Sequence, residues 1–175
     1  PHRKIDPYVL QPIAQCVAEG RSVEIKYVSM STNRPDAMWR RITPHAFGHD
    51  GLRWHVRAFC HRSEKFKDFI VSRCLDTRHV DVAGATPEMD ESWNSHFPVM
   101  LVPNPLLSEQ QQQIITREYG MIDGILTISV RRAMLYYFNK RLRLDAAPSL
   151  DEPHESPLVV KNRDDFIAAL AGAMK

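Results

Sequence analysis

The densest run of residues able to do chemistry is Arg53-Trp54-His55-Val56-Arg57-Ala58-Phe59-Cys60-His61. Apolar and polar residues alternate along it, the period-2 signature of a half-buried strand. Trp54, Val56, Ala58 and Cys60 share one face and read as core. Arg53, His55, Arg57, Phe59 and His61 share the other, about 7 Å from one to the next. Cations interleaved with a flat ring suit a polyanion whose bases can stack, namely a nucleic acid or oligonucleotide. The same face also fits the ordinary wet side of a sheet.

Other chemistries find little support. Cys16, Cys60 and Cys74 are odd in number and far apart, which argues against a disulfide framework or a zinc site and for buried, reduced thiols. His45 and His49 are the only close histidine pair with ligand-like spacing, and nothing in the sequence completes a shell around them, so no metal is expected. There is no Gly-rich phosphate loop, GxSxG, HExxH or kinase-like signature, and no cofactor is expected. Ser29, His55 and Asp50 could be assembled into a triad, as could many accidental triples, so no catalytic residue is assigned. Asp90-Glu91 and Asp164-Asp165 read as a solvated run in a linker and as helix-dipole partners.

Charge is distributed unevenly. Residues 1–80 hold 14 Lys+Arg against 8 Asp+Glu, whereas residues 81–175 hold 9 against 13. The basic excess lies in the half containing the opening strand and points to an anionic partner there. No apolar run approaches the length of a membrane span, and the start lacks the apolar core of a signal peptide, so a cytoplasmic protein is expected. The first residue is not Met, which fits a fragment or a processed chain.

The elements that must position these residues follow from periodicity. Residues 7–19 predict a helix stopped by Gly20. Strands are predicted from Val23 to Ser29, with Val23, Ile25 and Tyr27 inward, and from Trp39 to Phe47, broken at Pro44. Asp50-Gly51 predicts a two-residue type I′ hairpin into Arg53–His61. A further strand spans Phe66 to Leu75, with Lys67 and Arg73 emerging at a rim. Short antiparallel strands joined by tight turns suggest a small closed or nearly closed barrel. Residues 81–97 contain no Lys or Arg and read as a linker. Beyond it come a strand at 97–102, a helix opened by the Ser108/Gln111 capping box, a strand at 125–130 and a helix at 132–144. A strand at 158–160 and a helix led by Asn162 complete a small α/β layer structure.

The pattern Ile25-x-Tyr27-x-Ser29, Arg41-Ile42-x-Pro44-His45, Arg53-Trp54-His55-Val56-Arg57-Ala58 and Lys67-x-Phe69-x-Val71-x-Arg73 resembles a WYL domain over residues 20–80. The segment after Phe97 is similar to the C-terminal extension of WYL-domain bacterial transcription factors. The Trp-His-Val-Arg-Ala version resembles a subgroup of dimeric repressors that govern phage-defence operons. The name-giving tripeptide is here Trp54-His55-Val56, and Lys67 stands where an arginine is commoner.

The resemblance implies an α+β chain: a Sm/SH3-like antiparallel β-barrel at 21–80, a linker at 81–97 and an α/β dimerisation domain at 98–175. Residues 1–20 would tether it to a missing N-terminal winged helix-turn-helix that contacts operator DNA. It also implies a homodimer and a nucleic-acid or nucleotide effector. The implied ligand residues are Ser29, Ser31, Arg41, His45, His55, Arg57, Lys67 and Arg73, with Phe59 as a stacking platform. The competing reading is an accessory RNA- or single-stranded-DNA-binding module of a nuclease or helicase system.

Overall fold

The computed structural model describes residues 3–30, 36–144 and 153–173. The chain divides into two compact units, Pro1–Asp90 and Glu91–Lys175.

Helix α1 (Pro7–Glu19) spans the predicted residues. The Asp6 carboxylate accepts from Tyr8 N at 2.9 Å, and Pro7 takes the first turn, where a missing N–H costs nothing. Gly20 adopts φ 63°, which lets its N–H reach Cys16 O. Val9, Ile13 and Cys16 are buried against strands β1 (Arg21–Tyr27), β2 (Met38–His49), β3 (Trp54–Cys60), β4 (Lys65–Ile70) and β5 (Cys74–Val82). Val23, Ile25, Ile42, Val56, Ala58 and Phe69 complete this core. Pro44 lacks the N–H a ladder needs, and the β2–β3 register shifts between Pro44 and Ala46.

The sheet is antiparallel, in the order β4-β3-β2-β1-β5, and is not the expected closed barrel. The predicted strand at 66–75 is interrupted by a 3-10 turn at Val71–Arg73, so β4 and β5 become the two edges. One corner ties them: Tyr27 Oη accepts from Ile70 N at 3.3 Å, and Val28 N donates to Arg73 O. The β2–β3 connection also departs from the two-residue hairpin. It is a four-residue loop in which Asp50 accepts from Leu52 N and Arg53 N at 2.8 and 2.7 Å. An aspartate bonding its own downstream backbone builds an Asx-type turn. Trp54, expected inside, is 50% exposed, because it pairs with His49 at the end of the ladder, beyond the core.

The second unit has strands β6 (His96–Pro103), β7 (Leu126–Arg131) and β8 (Leu158–Val160) in the antiparallel order β7-β6-β8. With them go helices α2 (Glu91–Asn94), α3 (Glu109–Glu118), α4 (Leu135–Leu142) and α5 (Arg163–Ala173). The capping box forms: Ser108 Oγ accepts from Gln111 N, and Gln111 Oε1 accepts from Ser108 N. Asn162 does not cap with its side chain. It bonds the central strand instead, accepting from Met100 N and donating to Pro98 O. Phe97, Val99, Leu101, Leu135 and Phe166 form the second core, against which Met134 and Phe138 pack. No helix among the described residues is long and apolar enough to cross a membrane.

A buried carboxylate on the basic face of the first sheet

The polar face of β3 is not wet. Arg57 lies between Ala46 of β2 and Asp68 of β4, and the irregularity at Pro44–Ala46 sets His45 beside it. Arg57 donates through Nε to Asp90 Oδ2 at 2.7 Å and through Nη2 to Asp90 Oδ1 at 3.0 Å. A longer contact runs from Nη1 to Asp68 Oδ1 at 3.4 Å. His45 Nε2 reaches Asp90 Oδ2 at 2.9 Å. Arg57 is 8% and Asp90 1% exposed. A fork-on-carboxylate pair removed from water is among the stronger polar contacts available, and losing either partner strands a buried charge. Burial alone would weaken the Arg57 charge, but Asp90 and Asp68 more than offset it, so its pKa is raised.

Asp90 comes from the predicted linker, where it was expected to be solvated. A 3-10 turn at Pro87–Met89 aims it inward, with Met89 N donating to Thr86 O and Asp90 N to Pro87 O. Six residues earlier Gly84 N donates to Thr43 Oγ1 at 3.0 Å, and the same hydroxyl lies 2.8 Å from His61 Nε2. A Cβ on Gly84 would fall 2.4 Å from His61 Cε1, so only glycine fits against that ring. Burial, and then the nearby Arg41 charge, lower the His61 pKa. Residues 84–90 are thus pinned at both ends to the face formed by β2 and β3.

His55 is 1% exposed, and its Nε2 lies 2.8 Å from Asp50 Oδ2, which also accepts from Arg53 Nε at 2.9 Å. Burial would raise the Asp50 pKa, but the donors from His55, Leu52 and Arg53 hold it far below the usual carboxylate range. Arg41 lies 3.4 Å from Glu24 and also donates to Ser22 Oγ and His79 O. Glu24 accepts from Arg78 at 2.8 Å, which lowers its pKa despite the opposing effect of burial. Arg78 also stacks 3.9 Å from the centre of the Trp39 ring.

Four predicted ligand residues, Arg41, His45, His55 and Arg57, therefore already hold carboxylates. Phe59 is half-buried, packed edge-on to Phe66 and beside His61, which is not the posture of an open stacking platform. Ser29 and Arg73 sit at the tied corner, where Val28 N meets Arg73 O. Lys67, paired with Ala58, lies on the opposite side of the sheet from Arg57. Ser31 falls outside the described residues.

Sequence reasoning missed Asp50, Asp68 and Asp90, the counter-ions, and it also missed Arg40. The Arg40 Nε is buried without a hydrogen-bond partner, and the guanidinium lies 5.9 Å from the centre of the Tyr27 ring. Arg40 pairs with Ile25, so its alternation matches the core face. That parity was the available signal: a cation at an apolar position. Among the described residues no group of three or more His, Cys, Asp and Glu could hold a metal ion. Burial raises the Cys16 pKa and pushes that of Cys74 up to about 12.

Two family models match this chain. Residues 3–78 match the WYL domain, and residues 96–166 match the BrxR transcriptional regulator C-terminal dimerization domain. Among similar proteins, the DNA-binding transcriptional repressor CapW of Stenotrophomonas maltophilia is 36% identical, over 94% of this chain and 55% of that protein. CapW of Escherichia coli (strain KTE188) is 34% identical, over 96% and 56% respectively. CapW of Pseudomonas aeruginosa is 32% identical, over 94% and 54%. The chain spans about half the length of these relatives. The two matches follow one another along the chain, so it is similar first to the WYL domain and then to the BrxR-type C-terminal dimerisation domain.

Proposed function

We propose that this chain is the effector-sensing and self-associating part of a DNA-binding transcriptional repressor of phage-defence genes. The observation that carries this reading is its similarity, over nearly its whole length, to repressors named CapW. Operator contact belongs to the portion of those relatives that this chain does not match. Residues 96–166 pair two copies into a homodimer, as the description of the matching family suggests.

The effector is a nucleic acid or nucleotide recognised by the first unit. Its phosphate is met at the corner formed by Ser29, Arg73 and Arg40. Support comes from the buried, unpartnered Arg40 Nε and from the Arg73 guanidinium, which makes no ion pair with any described residue. Forked donors of this kind suit phosphate oxygens.

Arg57→Glu is a poor test, because it would set a second carboxylate against buried Asp90. Arg73→Glu is the informative variant. It should weaken binding of a single-stranded oligonucleotide by at least about tenfold at low salt, the scale of one charge-assisted phosphate contact. Fluorescence anisotropy measures the affinity, and an unchanged melting temperature shows that the fold persists. Binding as tight as the parent's would end the assignment of this corner.

A further inference from the structure

Asp90 is not part of the sheet it neutralises, and that separation has a functional meaning. We propose that Arg57 and His45 form an oxyanion site whose resident occupant is the chain's own Asp90 carboxylate, and that a phosphate group displaces it, freeing residues 84–90. This rests on the reading that the first unit takes an anionic effector, and it adds how that effector would be sensed.

Three observations carry it. First, the contacts Asp90 makes are those a phosphate would make: two parallel donors from one guanidinium, plus an imidazole nitrogen on one of the same oxygens. A phosphate offers more charge and an additional oxygen to this donor set, so exchange loses none of the three contacts. Second, Arg57 keeps Asp68 within 3.4 Å, so the guanidinium is not stranded while Asp90 departs. Third, the strap buries few of its side chains. Between Gly84 and Asp90 only Ala85 buries its side chain; Thr86, Pro87, Glu88 and Met89 are exposed. Gly84 N also donates to Thr43 Oγ1. Segments with few buried apolar contacts and mostly exposed backbone open locally before the rest of a domain.

The test uses the full chain and inorganic phosphate as probe. In the Asp90→Ala variant, phosphate should raise the melting temperature by several degrees more than sodium chloride at equal ionic strength, through binding to the vacated donors. The parent should show a smaller rise. Adding Arg57→Met to Asp90→Ala should abolish the increment. In the unaltered parent, pyrophosphate should speed hydrogen exchange at the amides of Gly84, Met89 and Asp90 by at least tenfold.

A variant response no larger than the parent's, or one that survives loss of Arg57, would overturn the proposal. If Asp90→Ala does not fold, the parent's exchange decides alone, and unchanged or slowed exchange at those three amides rejects displacement. The two ideas also fail separately. Arg73-dependent oligonucleotide binding without a phosphate response in Asp90→Ala removes only the strap. A phosphate response without Arg73-dependent binding removes only the corner site.

Discussion

Asp50 meets four donors with one carboxylate: Leu52 N, Arg53 N, Arg53 Nε and His55 Nε2, all within 2.9 Å. It sets the loop and neutralises the start of β3 together. Asp50→Asn should cost about 2–3 kcal/mol, the penalty for weakening several charge-assisted bonds around the buried His55, as a lower urea midpoint. The pH dependence has a definite sign. Because the folded pKa lies far below the ordinary value, this stabilisation is complete above about pH 4–5 and drains away as the pH falls further. The parent's urea midpoint should drop steeply between about pH 5 and pH 3, and that of Asp50→Asn less so. At this scale the sequence was half legible. Alternation along Arg53–His61 correctly placed Arg57 opposite Val56 and Ala58. It could not tell a wet face from a covered one, because the covering carboxylate lies 33 residues away. A charge reads as exposed until its long-range partner is known.

Elements were more legible where their signals are local. Helix α1 and the Ser108 capping box depend on residues within a turn of each other, and both formed where the sequence placed them. The break at Val71–Arg73 carried no Gly or Pro to announce it, and β5 beyond Leu75 mixes polar and charged residues without a period, so that strand read as linker. The strap of residues 84–90 was likewise invisible, since turn-rich composition says nothing about what a turn packs against. Its pinning can be tested at Gly84. The His61 ring that an added Cβ would strike is fixed by Thr43, so Gly84→Ala should cost about 1–3 kcal/mol by overpacking. A His61→Ala change in the same chain should recover part of that loss, because the clash is gone. Equal urea midpoints for Gly84→Ala and the parent would show that the strap does not press on the ring.

For the whole molecule, the division near residue 90 follows from two separate apolar clusters, each with its own sheet. The basic bias of residues 1–80 was legible by count; that much of it is internally neutralised was not. Barrel closure was also beyond the sequence. It depends on whether β4 and β5 pair with each other, a matter of strand coiling and not of residue type. The apolar run Met134-Leu135-Tyr136-Tyr137-Phe138 offers little contact surface, since Leu135 lies in the second core and Met134 and Phe138 pack against it. Sedimentation velocity should nonetheless return a dimer, and a chain truncated after residue 95 should sediment as a monomer if pairing resides in the second unit.

The placement of sulfur has a practical corollary. Cys16, Cys60 and Cys74 are all buried in the first unit, and the sequence contains no other thiol. A thiol-specific alkylating reagent should therefore react slowly with the native chain and quickly once the first unit opens, staying silent about the second. Alkylation becomes a clock for one half of the molecule, read by mass without any engineered label.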